Sequence, residues 1–353
     1  MKKSLSILLA VTMLLCMLAG CGGNTAKDPT PPNNSSQTSD AENDAKDSAN
    51  EVVTLRMANS ITSTEPMAIA INNFADRVWE KSNHTLKIET YFDSILGDDN
   101  EMIEAIVRGS NMIMMVDPAQ ISDYAPNYAI MTGPYLYDSV DEIEKLAFSE
   151  VGQELADEAY AGGLKILDNM CTYFGTRELI TKTPVTGPAD MVGLKVRTPS
   201  TALWVETLTA MGASTTSIPF ADVYSSLSTG VCDAMENPLP TIYNAKFQEV
   251  CGYVSMTKHM LAVNGWAMNS GVWESLSPEH QALLSEEALN LAHEGSELVA
   301  AAEEEVIEAM KAEGVIFNDC DTDAFREACQ VVYTKFPEWR EGLYEDVLAV
   351  LNG

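Results

Sequence analysis

The chain has 353 residues, with 52 acidic side chains against 21 basic ones and a formal charge of −31. That balance excludes nucleic acid as a partner, since phosphates demand a basic face. It leaves a small anionic ligand open, because a field screened within ~8 Å at physiological salt yields to a few local donors.

Lys2-Lys3 precede an apolar run from Leu5 to Leu18, followed by Ala19, Gly20 and Cys21. A run of this length falls short of the roughly twenty residues that cross a ~30 Å hydrocarbon core, so 1–20 reads as a signal peptide. Residues 21–50 are Gly, Asn, Thr, Pro, Ser and Asp with almost no large apolar side chain. Such a segment cannot bury enough surface to offset its ordering entropy, which predicts a disordered linker. Residues 51–353 are long enough for two lobes, each with its own core.

Val52–Ala58 alternates apolar and polar and predicts a first strand, closed by Asn59-Ser60. Thr64, Glu65 and Pro66 are helix-start chemistry, and Ile71, Phe74, Ala75 and Val78 follow at helical spacing. Leu86, Ile88 and Phe92 suggest a second strand. A helix follows from Asp98-Asp99 through Ile106 and Val107 to Gly109, and the apolar run Met112–Val116 is a third strand stopping at Asp117-Pro118. The order βαβαβ predicts a mostly parallel sheet with helices on both faces.

A second βα series spans roughly 165–259, with one strand ending at Thr257–His259 and a separate one at Val263–Met268. Ser277-Pro278 then opens a helix reaching about Lys311, with Leu284, Ala288, Leu291 and Leu298 as its apolar stripe. The acidic run Glu303–Glu305 reads as its solvated face. Cys171, Cys232, Cys251, Cys320 and Cys329 read as buried free thiols, with a Cys320–Cys329 pair left open. His84, His259, His280 and His293 are scattered, without metal-ligand spacing, and no cofactor is called for.

The most informative stretch is 175–240. Arg197 closes the apolar run GLKVR and is followed by Thr198-Pro199, while Asn237 closes VCDAMEN before Pro238. Both would project from strand ends, the edge of an open α/β sheet where ligands bind. Arg177 lies inside a strand, where an interstrand ion pair is the alternative to ligand binding. A guanidinium grips a carboxylate with two parallel hydrogen bonds and stays charged at any physiological pH, so a small organic acid is the expected cargo.

GLKVR, the MGA turn at Met211–Ala213, IPFADVYSSLSTGVCDAMENP and the TKH strand end occur in an order that resembles the solute-binding proteins of tripartite ATP-independent periplasmic (TRAP) transporters. The resemblance runs from about Thr54 to the C-terminus. It implies an α/β, two-lobe periplasmic-binding-protein-like fold with mixed sheets, a hinge and a long helix across both lobes. One lobe would be 51–170 plus part of 260–353, the other 171–260 plus the remainder. It makes Arg197 the main carboxylate partner and gives Arg177 and Asn237 supporting roles. Where the family commonly has Gly-Gln before the EN pair, this chain has Ala234-Met235, a departure in the pocket lining. The sequence around Cys21 similarly resembles a lipoprotein lipobox, implying an extracytoplasmic protein anchored to the membrane through that cysteine.

Phe220 could wall the pocket or belong to the core. Asp117 and Asn59 close strands of the first lobe and would face the clamp, and Asp99 either joins them or caps its helix. No nucleophile elbow, HExxH or phosphate loop is present, so a binding protein is expected rather than an enzyme. Two cations at one end and Asp117 at the other favour a hydroxyl-rich monocarboxylate such as a uronate or other sugar acid. A C4-dicarboxylate or a small hydroxy or keto acid is the alternative. The expected partners are membrane permease subunits of the TRAP type, or a signalling protein if the receptor reports its ligand, and the chain itself is expected to be a monomer.

Overall fold

The computed structural model describes residues 52–353; the expected signal peptide, Cys21 and the expected linker lie outside the described residues. The ten strands are β1 (Val53–Ala58), β2 (Leu86–Tyr91), β3 (Met112–Val116), β4 (Leu164–Ile166), β5 (Thr172–Thr181), β6 (Lys195–Thr198), β7 (Ser214–Ser217), β8 (Ala234–Pro238), β9 (Tyr253–Asn269) and β10 (Ile316–Asp319). They form a mixed sheet in the order β2-β1-β3-β9-β5-β8-β6-β7, with β4 and β10 also pairing on β9. The expected α/β class therefore holds, and the βαβαβ start folds as parallel β2-β1-β3. All five residues of β3 (MIMMV) are buried, as befits an interior strand, parallel to β1 and antiparallel to β9, in a sheet covered on both faces.

The two strands expected at Thr257–His259 and Val263–Met268 are one, which corrects the sequence reading. β9 runs 17 residues, pairing with β5 and β10 in its first part and with β3 and β4 in its last. The polar Lys258, at φ 45°, does not end the strand. Its irregularity falls within the register shift between β5 and β9 at Arg177/Leu179, with a second shift further along at Tyr173/Gly175, and a bulge bends a ladder without ending it. Gly175 sits at φ 119°, where a Cβ would come 2.5 Å from that of Pro238, so only glycine fits this close approach.

The long helix spans Pro278–Ala312, with the Ser277 hydroxyl accepting from His280 N at 3.1 Å. Ion pairs from Arg77 to Glu287 and Glu294, each 2.6 Å, tie it to helix Pro66–Lys81. Its acidic run is not wholly solvated. Glu303 is half-buried, accepts from Thr176 N at 2.7 Å and receives the Tyr173 hydroxyl at 3.2 Å. The carboxylate thus takes an amide of the short stretch between the two register shifts and ties the helix to it. The five cysteines among the described residues are free thiols, Cys320 and Cys329 included.

Candidate functional site

Loops at the ends of β1, β3, β6 and β8 converge with β5, β9 and helix Ala202–Ala210 on a cavity. Arg177, Arg197, Asn237, Asp117, Asp99 and Phe220 all line it. A second space shares Asp99, Arg197 and Phe220 and extends past Asp98, Asn100 and Ser200. Asn59 is not among the lining residues. Its Oδ1 accepts from Met115 N at 3.1 Å, tying β1 to β3, and the neighbouring Ser60 and Ile61 reach the cavity instead.

Arg177 is already paired inside the protein. Its Nε lies 2.5 Å from Glu236 Oε2, and one terminal nitrogen donates to Oε1 at 2.9 Å and to the Glu236 carbonyl at 3.2 Å. Arg177 stands opposite Pro238 in the β5–β8 register, so the ion pair is diagonal across the ladder. Burial pushes the Glu236 carboxyl up, but the Arg177 charge and the hydrogen bond from His259 outweigh it and hold it at about 2. His259 Nε2 is 3.2 Å from Glu236, with Nδ1 on the Thr257 hydroxyl at 2.8 Å. On its open face the Arg177 guanidinium lies 4.2 Å from the Trp204 ring centre, a cation–π contact in a desolvated setting.

Arg197 is different. It is 4% exposed, and its Nε donates to the Ile218 carbonyl at 2.8 Å. Among the described residues no carboxylate pairs with it, and its terminal nitrogens make no hydrogen bond, leaving them to the cavity. Burial lowers its pKa to about 10, with Glu236 and Asp99 opposing from a distance and Arg177 adding to the fall. Phe220 lies 5.9 Å from the guanidinium and packs edge-on to Phe247, so it serves the cavity wall and the core together.

The cavity also has an acidic part, largely pre-bonded. Asp117 accepts from Ala119 N at 2.7 Å and from the Thr132 hydroxyl at 2.8 Å, yet burial pushes its carboxyl up to about 6. Asp99 is not the cap of its helix; Asp98 is, through a capping box with Glu101. Asp99 Oδ2 receives Gln120 Nε2 at 3.1 Å, while Oδ1 is buried with no hydrogen-bond partner. Burial raises the Asp99 carboxyl as well, with the nearby Ser60 side chain and then the Arg197 charge acting against it.

Sequence reasoning passed over Glu236, Trp204, Gln120, Thr241 and Asn264, all of which line the cavity or brace it. Two left a signal. Glu236 is a charge inside the apolar run that ends at Asn237, and Asn264 interrupts the apolar stretch of β9. Trp204, Gln120 and Thr241 read as ordinary helix or turn residues.

Residues 57–338 match the family of bacterial extracellular solute-binding proteins, family 7 (DctP). The chain belongs to this family. It is 30% identical over 278 residues to the 2,3-diketo-L-gulonate-binding periplasmic protein of Escherichia coli K12, covering 78% of this chain and 84% of that protein. A TRAP solute-binding protein of Actinobacillus succinogenes 130Z, solved with L-galactonate, superposes with a TM-score of 0.82 at 32% identity, covering 85% of this chain and 99% of that one. One from Desulfovibrio salexigens, solved with diglycerolphosphate, also gives 0.82 at 30% identity, covering 85% and 97%. The DctP family consists of solute receptors, and among the described residues no helix is long and apolar enough to cross a membrane.

Proposed function

We propose that this DctP-family receptor binds a hydroxyl-rich monocarboxylate, a uronate or aldonate, and delivers it to an ion-coupled TRAP permease. The carrying observation is the contrast between the two arginines. Arg177 has its charge cancelled by Glu236, whereas Arg197 is buried with only a carbonyl on Nε and two free terminal nitrogens. A buried guanidinium without a counter-ion calls for an anion, and its open edge is shaped for a carboxylate.

The charge count favours one negative charge on the ligand. Asp117 and Asp99 line the same cavity as Arg197, and a second carboxylate or a phosphate dianion beside them would be buried against like charge. Ligand hydroxyls would instead donate to the unbonded Asp99 Oδ1 and to Asp117, with Asn237 and Asn264 able to donate or accept. The relatives bound to galactonate and diketogulonate support this choice.

In this reading β5 and β9 form the hinge between two lobes, approximately 51–170 and 171–260 with the C-terminal segment shared, and Cys21 carries the membrane anchor. The receptor acts as a monomer. A thermal-shift panel of D-glucuronate, D-galacturonate, L-galactonate, succinate, malate, lactate and glycerol 3-phosphate tests the ligand class, since ligands stabilise the native state by mass action. Stabilisation by succinate, malate or glycerol 3-phosphate, with none by a sugar acid, refutes the assignment.

A further inference from the structure

Glu65 is a buried carboxyl that the ligand clamp does not use. It is 1% exposed, and among the described residues no cation pairs with it. It stands at the cap position of helix Pro66–Lys81, yet its side chain bonds none of that helix's amides. Instead Oε1 receives Thr62 N at 3.2 Å, and Oε2 receives the hydroxyl of Thr241, 176 residues away, at 2.8 Å. Thr241 lines the cavity, and so do Ser60 and Ile61 on the loop that Glu65 closes. Beside this contact Thr64 donates to Asn244 at 2.9 Å.

We propose that Glu65 is a positioning residue for ligand retention, tying the Ser60–Ile61 loop to Thr241 across the cavity, with a hold that tightens when its carboxyl takes a proton. The proposal rests on the solute-receptor reading above. A protonated carboxyl keeps both hydrogen bonds without burying a charge: one oxygen accepts from Thr62 N, and the hydroxyl donates to Thr241. A carboxylate in the same place carries the full desolvation penalty, which opening to water relieves. Burial accordingly pushes the Glu65 carboxyl up to about 7, against the pull of its two hydrogen bonds and with Asp93 adding to the rise. Because the tied form holds the proton more tightly than a water-exposed carboxyl, closure takes up protons between about pH 4.5 and 7 and retention weakens as pH rises through that window.

The surroundings leave few other groups to account for such a dependence. Asp93 is the charged neighbour on the loop after β2. Helix Leu239–Asn244 contributes Tyr243, whose hydroxyl is engaged with Glu313. The long helix crosses here with Gly295 over Met67, and Arg77 and Lys81 further along helix Pro66–Lys81 are paired with Glu287. Asp117 titrates within the cavity itself, so the test must be a difference between variants.

Glu65→Gln imitates the protonated form, since its oxygen can accept from Thr62 N while its amide donates to the Thr241 hydroxyl. Stopped-flow dissociation is measured for each sugar acid that binds, on wild type and Glu65→Gln, from pH 5.5 to 7.5. Wild-type dissociation should accelerate about tenfold more than that of the variant across this range, while the Asp117 contribution is common to both. Coincident profiles overturn the proposal. The ligand-free melting temperature gives a second readout: Glu65→Gln should gain on wild type as pH rises through 7. If those curves run parallel, Glu65 does not titrate as the tie requires and the proposal falls. If no sugar acid binds, the ligand assignment fails by itself and the ligand-free curves still decide the titration.

Discussion

Nε of Arg177 sits 2.5 Å from Oε2 of Glu236, and the residue that follows Glu236, Asn237, lines the cavity. One strand end thus neutralises the nearer arginine and presents a neutral polar group beside it. Arg197 is left as the cation with a free edge, and the two arginines should respond differently to the same substitution. Arg197→Lys keeps the charge and loses the fork. It should weaken sugar-acid binding by roughly 2–5 kcal/mol, the range for truncating one partner of a buried charged pair, with little change in melting temperature. Arg177→Lys should lower the melting temperature as well, because it breaks a bond inside the protein. Calorimetric titration beside thermal melting checks both, and near-native affinity in a folded Arg197→Lys variant removes Arg197 from the site.

Glu236 should reveal itself through acid stability. Its carboxyl sits at about 2 in the folded protein against an ordinary 4.5. For a depressed acid, the stabilising contribution is present above about pH 4.5 and is lost as pH falls toward 2. Glu236→Gln leaves Arg177 buried without a counter-charge and should cost about 3–5 kcal/mol at pH 7. The gap between the variant and wild type should narrow as pH drops below 4.5, which urea melts at several pH values would show. A constant gap would mean that the pair contributes nothing to pH-dependent stability.

Glu303 ties the long helix to the bulged part of β5 through Thr176 N. Glu303→Ala leaves that amide without its acceptor, at a cost of about 1–3 kcal/mol. Amide exchange should speed up at Thr176 more than at the regularly paired residues of β3. Unchanged protection at Thr176 would show that water replaces the carboxylate without loss.

Much of the β2-β1-β3 part of the sheet was legible because its sequence is locally consistent: alternation in β1, helical spacing in Pro66–Lys81, and an unbroken apolar run in β3 each point to the element that forms. The continuity of β9 was not legible. Lys258 in the middle of TKH carries the polar signature of a strand end, and only pairing with β5 before it at Ser255 and after it at Met260 carries the strand through. The site divides similarly. Arg197 and Asn237 stand at strand ends that local patterns mark, whereas the Arg177–Glu236 pair depends on the β5–β8 register. Glu65 and Thr241, 176 residues apart, meet only in the folded chain.

Cys21 lies outside the described residues, so its role is tested in the cell. With a thioether lipid the domain is held at the membrane; without it, nothing in the linker composition supplies membrane affinity. Cys21→Ser should appear in the medium or as an unprocessed precursor. A fully processed Ser variant that still fractionates with membranes rules out the anchor.

The acidic wall should set which acid is preferred. At pH 8 the Asp117 carboxyl, at about 6, is charged, and a second ligand carboxylate near it is repelled while a hydroxyl is welcomed. Asp117→Asn can preserve the local structure, because its oxygen can still accept from Ala119 N and its amide can donate to the Thr132 hydroxyl. Removing the charge takes away a strong acceptor for hydroxyls and the repulsion against dianions together. The ratio of succinate affinity to D-glucuronate affinity should therefore rise by about tenfold, equivalent to roughly 1.4 kcal/mol, when both are titrated at pH 8. Below pH 6 the wild-type carboxyl is itself protonated, and the two proteins should converge. If the ratio stays unchanged at pH 8 in a folded variant, Asp117 does not face the far end of the ligand, and selectivity must come from Asp99 with its unbonded oxygen.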